Sequence, residues 1–242
     1  MNTVLEVKHL SFQYPDGTRA LQEISFRLAE GERLAVIGPN GAGKSTLFFH
    51  LNGTFQGEGE IVVLGQPLTA KTIASVRRDV GLVFQDPNDQ LFMPTVFEDV
   101  AFGPINLGCS EMDIRERVQK ALRHVGMEGS EALTPHHLSI GQRKKIALAT
   151  VLALEPKILA FDEPSSGLDP RSRRLLIQFL KELPQPQLIA THDLDLVLDV
   201  CCRVLVMDGG RIVGEGAVPA IFQREEFLQA HGLDKPLRLQ PL

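Results

Sequence analysis

Short runs of apolar and β-branched residues recur along the chain and predict the strands of a largely buried sheet. These runs cover residues 4–7, 24–28, 33–38, 61–64, 80–84, 157–161, 188–191 and 203–207. Several are nearly continuous in apolar residues, which is typical of parallel strands covered on both faces. Helical stretches at 44–51, 171–183 and 193–200 lie between them. Strand alternating with helix predicts an α/β fold with a mostly parallel sheet.

The pattern changes between Gln85 and Pro156, where helical periodicity dominates, notably at 111–125 and 141–154. We interpret this region as a helical insertion between two halves of the sheet. The chain would then be a single domain, 1–242, made of a catalytic α/β core at 1–86 and 156–222, a helical subdomain at 87–155 and a short helical or irregular tail at 223–242.

Charge and composition restrict the partners of this chain. Its 242 residues carry a net charge of −5, and the sequence pI of about 5.8 gives no bulk attraction to nucleic acid or anionic lipid. We therefore expect no nucleic-acid partner. Basic residues do cluster at 77–78, 143–145 and 171–174 in helix-like stretches, and we interpret these clusters as solvated faces or partner contacts.

The sequence offers no sign of export or membrane insertion. The first residues lack the basic and apolar pattern of a signal peptide, and the longest apolar run, 146–154, is far shorter than the ~20 residues of a membrane span. Three cysteines without a CxxC pair argue against a disulfide framework. We expect a protein of a reducing compartment that serves a membrane only from the cytosol, through a partner.

One stretch has the spacing G-x-x-x-x-G-K-[ST] of a phosphate-binding loop, directly after an apolar strand and at the start of a helix. It reads Gly38-Pro39-Asn40-Gly41-Ala42-Gly43-Lys44-Ser45-Thr46. Glycines let backbone N–H groups wrap phosphate oxygens, and the helix dipole adds positive potential. Lys44 would reach the β- and γ-phosphates, and Ser45 would offer its hydroxyl to Mg²⁺.

The apolar run 158–161 ends in two carboxylates, Asp162 and Glu163. A carboxylate at the carboxyl end of a parallel strand lies at the mouth of the sheet, beside the phosphate loop. Asp162 suits the hydration shell of a metal ion, and Glu163 suits a general base that polarises the attacking water. The alternative is a pair of solvated acids at a strand end.

Further motifs lie between residues 14 and 192. They are Tyr14, Gln85, Leu138-Ser139-Ile140-Gly141-Gln142, Ser166-Gly167-Leu168-Asp169 and His192. In this order, together with the phosphate loop and the two acids, they make the chain resemble the ATP-binding subunits of ATP-binding cassette (ABC) transporters. The resemblance covers residues 4–222. It implies a P-loop NTPase fold with a RecA-like mixed sheet, an antiparallel β subdomain and a helical insertion, and hydrolysis of ATP with Mg²⁺.

The resemblance also implies roles for single residues. Gln85 corresponds to the glutamine that senses Mg²⁺, His192 to the switch histidine near the γ-phosphate, and Tyr14 to the aromatic residue that stacks on adenine. A packed histidine at a strand end is the alternative for His192. Asp169 corresponds to the loop at the interface between two cassettes.

The segment Ser139-Ile140-Gly141-Gln142 resembles the signature motif of the family. Because Ser139 and Gly141 begin a helix, free N–H groups point outward there and form a second anion site. This site lies too far along the chain to share one nucleotide easily with Lys44. A head-to-tail dimer with a second ABC ATPase subunit, identical or related, would place it on the partner's γ-phosphate. An ordinary N-cap is the alternative, and Ile140 departs from the glycine common at its position.

Residues 85–104 resemble the ATPases of energy-coupling factor importers, particularly the cobalt and nickel branch. The expected partners are a transmembrane coupling subunit and a substrate-binding membrane subunit, with this chain peripheral on the cytoplasmic face. Leu91, Phe92 and Met93 would form an apolar docking surface, or else belong to the core of the helical insertion. The alternatives are a subunit of another ABC importer or exporter, or a soluble ABC ATPase outside transport.

Overall fold

The computed structural model describes residues 2–240 as strands and helices in alternation. The strands are β1 (Thr3–Gln13), β2 (Arg19–Ala29), β3 (Arg33–Ile37), β4 (Glu58–Val63), β5 (Gln66–Pro67), β6 (Val80–Val83), β7 (Ile158–Asp162), β8 (Gln187–Ala190), β9 (Arg203–Asp208) and β10 (Arg211–Ala217). The helices are α1 (Lys44–Leu51), α2 (Ile73–Asp79), α3 (Val96–Asn106), α4 (Glu111–His124), α5 (Ile140–Leu152), α6 (Pro170–Glu182), α7 (Leu194–Val200), α8 (Val218–Phe222) and α9 (Glu225–Ala230).

Two sheets form the framework. The larger sheet has six strands in the order β10-β9-β3-β8-β7-β6, with every neighbouring pair parallel except β9 and β10. The smaller, antiparallel sheet has the order β2-β1-β4-β5. Strands β6, β7 and β8 are buried along their whole length, as their continuous apolar sequence requires. The α/β fold with a mixed sheet and a separate antiparallel sheet is confirmed.

Some elements differ from the sequence prediction. The predicted strand ends at Val7, whereas β1 continues to Gln13. The register of β1 against β2 shifts between Val7 and Leu10, where His9 has a positive φ of 49°, and pairing then resumes. Strand β10 was not predicted, since only part of each side chain is covered on this edge strand and the apolar signal is weak. Helix α3 was also not predicted, because Gly103 and Pro104 interrupt its pattern.

Helices α3, α4 and α5 lie between β6 and β7 in the chain and share one apolar core with the larger sheet. Val100 of α3, Leu122 of α4 and Ile146 of α5 are fully buried in this cluster, which also contains Phe161 of β7. The helical region is therefore packed onto the sheet rather than tethered to it. Among the residues that the structure describes, the helices are all too short or too polar to cross a bilayer.

The end of the chain folds back onto the sheet and α7. Phe222 and Leu228 bury their side chains in an apolar cluster with β3 and β9. Beyond α9, Arg238 binds the carboxylates of Asp195 and Asp199 on α7. This places residues 232–240 beside the carboxyl end of the larger sheet.

Candidate nucleotide-binding site

The phosphate loop connects the end of β3 to the start of α1 and depends on glycine at two close contacts. A Cβ atom at Gly38 would lie 2.1 Å from the Met207 carbonyl oxygen, and one at Gly43 would lie 2.4 Å from the Ala20 carbonyl oxygen. Gly43 is the N-cap of α1 and has a φ of 100°, so no side chain caps the helix. The first N–H groups of α1 therefore face the loop and are available to an anion.

The ammonium group of Lys44 lies within this loop. It donates hydrogen bonds to the carbonyl oxygens of Gly38, at 2.8 Å, and Pro39, at 3.0 Å. Burial lowers the pKa of Lys44, while the nearby carboxylates of Glu163 and Asp162 oppose that shift. The ammonium is thus positioned among backbone acceptors that phosphate oxygens can replace with stronger, charged hydrogen bonds.

Asp162 ends β7 beside Ser45 and offers a carboxylate suited to a divalent cation. Only 5% of Asp162 is exposed, and its Oδ1 atom is buried without a hydrogen-bond partner. Burial raises the pKa of Asp162, and a hydrogen bond from Ser45 partly offsets the rise. A buried oxygen without a partner beside a serine hydroxyl fits the oxygen ligands that Mg²⁺ prefers.

Glu163 and His192 meet at the same edge of the sheet. The Oε2 atom of Glu163 lies 2.8 Å from Nδ1 of His192 and accepts the His192 backbone N–H at 3.2 Å. The backbone of Glu163 has a positive φ of 46°, and its N–H donates to Ala190 at 2.8 Å. A non-glycine residue in this conformation stores strain that is typical of functional sites.

One cavity of about 850 Å³ brings these groups together. Its walls include the whole phosphate loop, Glu163, His192 and Gln85, which follows β6. Residues near the end of the chain, among them Leu233 and Lys235, form another part of the wall. This volume suits a nucleotide-sized ligand.

Tyr14 lines the mouth of the same cavity. Its hydroxyl shares a hydrogen bond of 2.9 Å with Oγ1 of Thr46, and its ring packs edge-on against Phe12 and Phe55. The ring is therefore held in place by α1 and the antiparallel sheet. Its stacking on adenine stays a prediction.

The signature segment lies in a different cavity. Ser139 caps α5: its Oγ accepts the Gln142 N–H at 3.3 Å, and the Gln142 side chain accepts the Ser139 N–H at 3.0 Å. Asp169 lines this second cavity and caps α6 by accepting the N–H groups of Arg171 and Ser172. Within the described chain, none of the residues lining the first cavity lines the second. Ser139, Gly141, Gln142 and Asp169 are thus not brought to the phosphate loop of their own chain.

Two members of the basic clusters at 143–145 and 171–174, Lys144 and Arg173, make partly buried contacts within the chain, so the interpretation as solvated residues is wrong for them. The interpretation of these clusters as partner contacts stays a prediction. Lys144 donates to the carbonyl oxygens of Glu163, at 3.3 Å, and Pro164, at 3.1 Å. Arg173 forms a partly buried ion pair with Asp193. Both contacts join segments about 20 residues apart, so no local pattern reveals them.

Gln90 is a further residue that the sequence did not single out. Its side chain accepts the Phe84 N–H at 3.1 Å and donates to Thr150 Oγ1 at 2.7 Å and to the Ala147 carbonyl at 2.8 Å. It therefore ties the segment that carries Gln85 to helix α5. Two of its three contacts reach residues 57 and 60 positions away, so no local pattern in the sequence signals them.

Comparison with known proteins agrees with this geometry. The profile of the ABC transporter family matches residues 21–166. A Gloeobacter violaceus protein provisionally named an ABC transporter ATP-binding protein is 53% identical over 238 residues, covering 97% of this chain and 98% of the relative. The energy-coupling factor transporter ATP-binding protein EcfA of Methanocaldococcus jannaschii is 45% identical over 239 residues, covering 96% and 86%.

A solved structure of a related ATP-binding protein has a similar fold. CbiO1 from Clostridium perfringens, part of the ABC transporter complex CbiONQ, superposes with a TM-score of 0.82 at 40% identity and covers 95% of this chain and 94% of that one. The family match spans more than half of the sequence, and it includes the phosphate loop and both acids at the end of β7. The chain therefore belongs to the ABC transporter family and is one of its ATP-binding, ATP-hydrolysing subunits.

Proposed function

We propose that this chain powers an ABC importer of the energy-coupling factor class, for cobalt or nickel ions, as one half of a head-to-tail ATPase dimer on the cytoplasmic face of the membrane. The observation that carries the importer assignment is an exposed apolar surface beside the segment that bears Gln85. Similarity to EcfA and to CbiO1 supports the class, and the cobalt and nickel cargo rests on the pattern of residues 85–104.

The docking surface consists of Phe92, Phe102 and Ile105, whose exposed fractions are 59%, 40% and 56%. The rings of Phe92 and Phe102 meet edge to face at 5.0 Å, so they form one continuous patch. Of the three residues for which a docking surface or a core position was expected, Phe92 is exposed, Met93 is half-buried and Leu91 is buried. Leu91 therefore belongs to the core of the helical region and not to the docking surface. Exposed aromatic rings grouped in this way favour a partner surface over a core.

The backbone of this surface is fixed by one buried carboxylate. Asp99 is 3% exposed and accepts the N–H groups of Phe92 and Met93, each at 3.0 Å. The segment also continues from Gln85 through Gln90, which is bound to α5. A membrane subunit docked on Phe92 would therefore be linked mechanically to the glutamine in the nucleotide cavity.

The hydrolytic chemistry follows from the positions of the side chains. Glu163, held by His192 and by the backbone at Ala190, would accept a proton from the attacking water. Lys44 and the N–H groups of α1 would bind the phosphate oxygens. Ser45, Gln85 and Asp162 would hold Mg²⁺, which when bound neutralises phosphate charge. Tyr14 would stack on adenine, and His192 would contact the γ-phosphate.

The dimer accounts for the second anion site. Ser139, Gly141 and Gln142 of one subunit would face the γ-phosphate bound by the other, with Asp169 at the interface. Two ATP molecules would then join the subunits, and hydrolysis would release them. Movement of the docking surfaces with the subunits would drive the membrane partner.

The test is purification of the tagged chain from mildly solubilised native membranes, with partners identified by mass spectrometry. We expect a polytopic coupling protein together with a small substrate-binding membrane protein whose identity indicates the cargo. A double variant, Phe92→Ser with Ile105→Ser, should lose both partners and keep its ATPase activity. Leu64→Ser, at an exposed apolar position in the turn between β4 and β5, is the matched control and should retain them.

Recovery of an exporter-like membrane domain, or of soluble partners alone, would overturn the importer assignment. Equal recovery with the double variant and the control would overturn the docking surface. Either result leaves the ATPase chemistry in place.

A further inference from the structure

Arg173 and Asp193 form a two-pronged ion pair between helices α6 and α7. Nε of Arg173 donates to Oδ2 of Asp193 at 2.5 Å, and Nη2 donates to Oδ1 at 2.6 Å. The side chains are 29% and 17% exposed, so the pair is largely shielded from water. Two parallel, charged hydrogen bonds fix orientation as well as distance, which a single contact does not.

Asp193 is also the residue that follows His192 in the chain. Its Oδ1 atom caps α7 by accepting the Leu196 N–H at 2.9 Å, and its own N–H donates to Thr191 Oγ1 at 3.0 Å. Burial alone would raise the pKa of Asp193, but the Arg173 guanidinium and the Leu196 N–H hold that pKa below its ordinary value. The carboxylate therefore stays charged and bound at neutral pH.

His192 is consequently held from two directions. On one side its backbone N–H and its Nδ1 atom contact Glu163. On the other side the next residue is clamped by Arg173, one helical turn from the start of α6. Glu163 and Arg173 lie in separate segments, so the backbone at residues 192–193 is held by contacts to both.

The start of α6 is the loop that ends at Asp169. The loop is partly exposed, and Asp169 itself caps the helix through Arg171 and Ser172. Because α6 begins there, a displacement of Asp169 moves Arg173 with it, since the two are only four residues apart on a rigid helical turn. The ion pair therefore connects an exposed loop at the second cavity to the histidine of the first.

We propose that Arg173 is a positioning residue that acts through Asp193 to set the place of His192, and that it transmits the position of the loop at Asp169 to the hydrolytic site. The proposal rests on the assignment of His192 to the γ-phosphate end of the cavity. The partner subunit that moves the loop is the one seated on the second cavity in the proposed dimer.

Helix α7 supplies its own control. Arg238 binds the same helix through Asp195 at 3.2 Å and Asp199 at 3.1 Å, but those carboxylates do not adjoin His192. If ion pairs on α7 serve only to hold the helix, Arg173→Gln and Arg238→Gln should affect activity alike. Because residues 232–240 form part of the cavity wall, Arg238→Gln is expected to change only the affinity for ATP. If Arg173 positions His192, only Arg173→Gln should lower kcat.

The experiment measures kcat and KM for ATP hydrolysis, and ATP affinity, in a cycle of Arg173→Gln, His192→Ala and the double variant, with Arg238→Gln alongside. We expect Arg173→Gln to lower kcat about tenfold, because small misplacements of catalytic groups cost one to two orders of magnitude, with KM within about twofold. Arg173→Lys, which keeps the charge and loses the fork, should fall in between. In the His192→Ala background, Arg173→Gln should have almost no further effect.

An equal loss of kcat from Arg173→Gln in both backgrounds would overturn the proposal, as would unchanged kcat or an equal loss in Arg238→Gln. Full activity of His192→Ala would instead refute the assignment of His192 itself. Thermal unfolding of each variant separates a drop in kcat from a loss of folded protein.

Discussion

Two helix N-termini in this chain have the form of anion sites, and they are built in opposite ways. At α1 the cap is Gly43, with no side chain, and Lys44 lies within the loop. At α5 the cap is Ser139, which with Gln142 satisfies the helix end by a reciprocal pair of hydrogen bonds. The first end has no side-chain cap and opens onto the phosphate loop of its own chain. At the second end the capping box binds only the N–H groups of Ser139 and Gln142, which leaves those of Ile140 and Gly141 for an external anion.

The cavities around the two helix ends also differ in the side chains that line them. The cavity at α1 is also lined by Glu163, His192 and Gln85, to which the proposed mechanism assigns the hydrolytic roles. The cavity at α5 is lined by Asp169, Lys144 and Leu168, with no acid positioned beside a histidine in the described residues. The difference teaches that the groups proposed for the chemistry surround one helix end only, and that the other end lies away from them. This asymmetry supports the proposed head-to-tail dimer, in which the second end would face another subunit's nucleotide.

The largest expected effect is on turnover when the chemistry at α1 is stopped without disturbing either helix end. Glu163→Gln should keep ATP affinity within a few fold and lower kcat by about 10²–10⁴, the usual contribution of a general base. The stalled protein should collect as an ATP-bound dimer. Steady-state ATPase assays with light scattering check both expectations, and near-normal turnover would remove Glu163 from the role of base.

The next largest effect is expected on ATP affinity, when the lysine at the start of α1 is removed. Lys44→Ala should weaken ATP binding by roughly 10- to 150-fold, as expected for the loss of hydrogen bonds from a charged donor at about 1.5–3 kcal/mol. Titration with a fluorescent ATP analogue measures it. Lys71→Ala, at an exposed lysine outside the cavity, is the control and should bind normally. Unchanged affinity in Lys44→Ala would refute the role of this ammonium.

A smaller effect is expected at the α5 end. Ser139→Ala should lower kcat by about tenfold without changing the affinity of the isolated subunit for ATP, since one hydrogen bond to a charged group contributes about 1.5 kcal/mol at the lower end of its range. Ser110→Ala removes a like cap from α4, where Ser110 accepts the Asp113 N–H. Both variants should lose about 1 kcal/mol of unfolding free energy. Equal kcat in the two variants would reduce Ser139 to a structural cap.

The smallest expected effect is on the unfolding free energy of the protein, through Asp162 at the end of β7. Because burial raises the pKa of Asp162, the folded state holds its proton more tightly than the unfolded state does. The unfolding free energy therefore falls as pH rises through the window between the unfolded and folded pKa values, and the loss persists at neutral pH. Asp162→Asn should remove that loss and raise Tm by roughly 2–4 °C per kcal/mol recovered, while Mg²⁺-dependent turnover drops.

Calorimetry at pH 4 and pH 7 checks this expectation. The gain in Tm of Asp162→Asn over the native protein should be larger at pH 7 than at pH 4. A lower Tm at pH 7 would show that the carboxylate is stabilised by contacts that the amide cannot make.

The sequence predicted what local patterns encode, and missed what distant contacts decide. The loop at Gly38–Thr46 and the two acids at the end of β7 were predicted because each motif, with the strand before it, occupies one short stretch of the chain. Lys144 and Arg173 were interpreted as parts of solvated faces or partner contacts because each lies among other basic residues. Their acceptors at Pro164 and Asp193 are about 20 residues away, so the local pattern does not reveal these contacts. Strand β10 was missed because an edge strand with half-covered side chains has no strong alternation.

The separation of the two anion sites also shows what sequence spacing can predict and what it cannot. Spacing along the chain suggested that Ser139 and Lys44 do not share a nucleotide, and the structure places them in different cavities. The second cavity is lined by residues from several separate segments, so a short stretch of sequence does not identify the molecule that binds there.

The most direct test of the composite site is complementation between two inactive variants, Lys44→Ala and Ser139→Arg. In a mixed dimer, the intact Lys44 of the Ser139→Arg subunit faces the intact Ser139 of the Lys44→Ala subunit, which restores one complete site. We predict that each variant alone hydrolyses ATP at only a few per cent of the native rate, and that the mixture recovers a substantial part of it. A mixture no more active than its components would contradict the head-to-tail dimer.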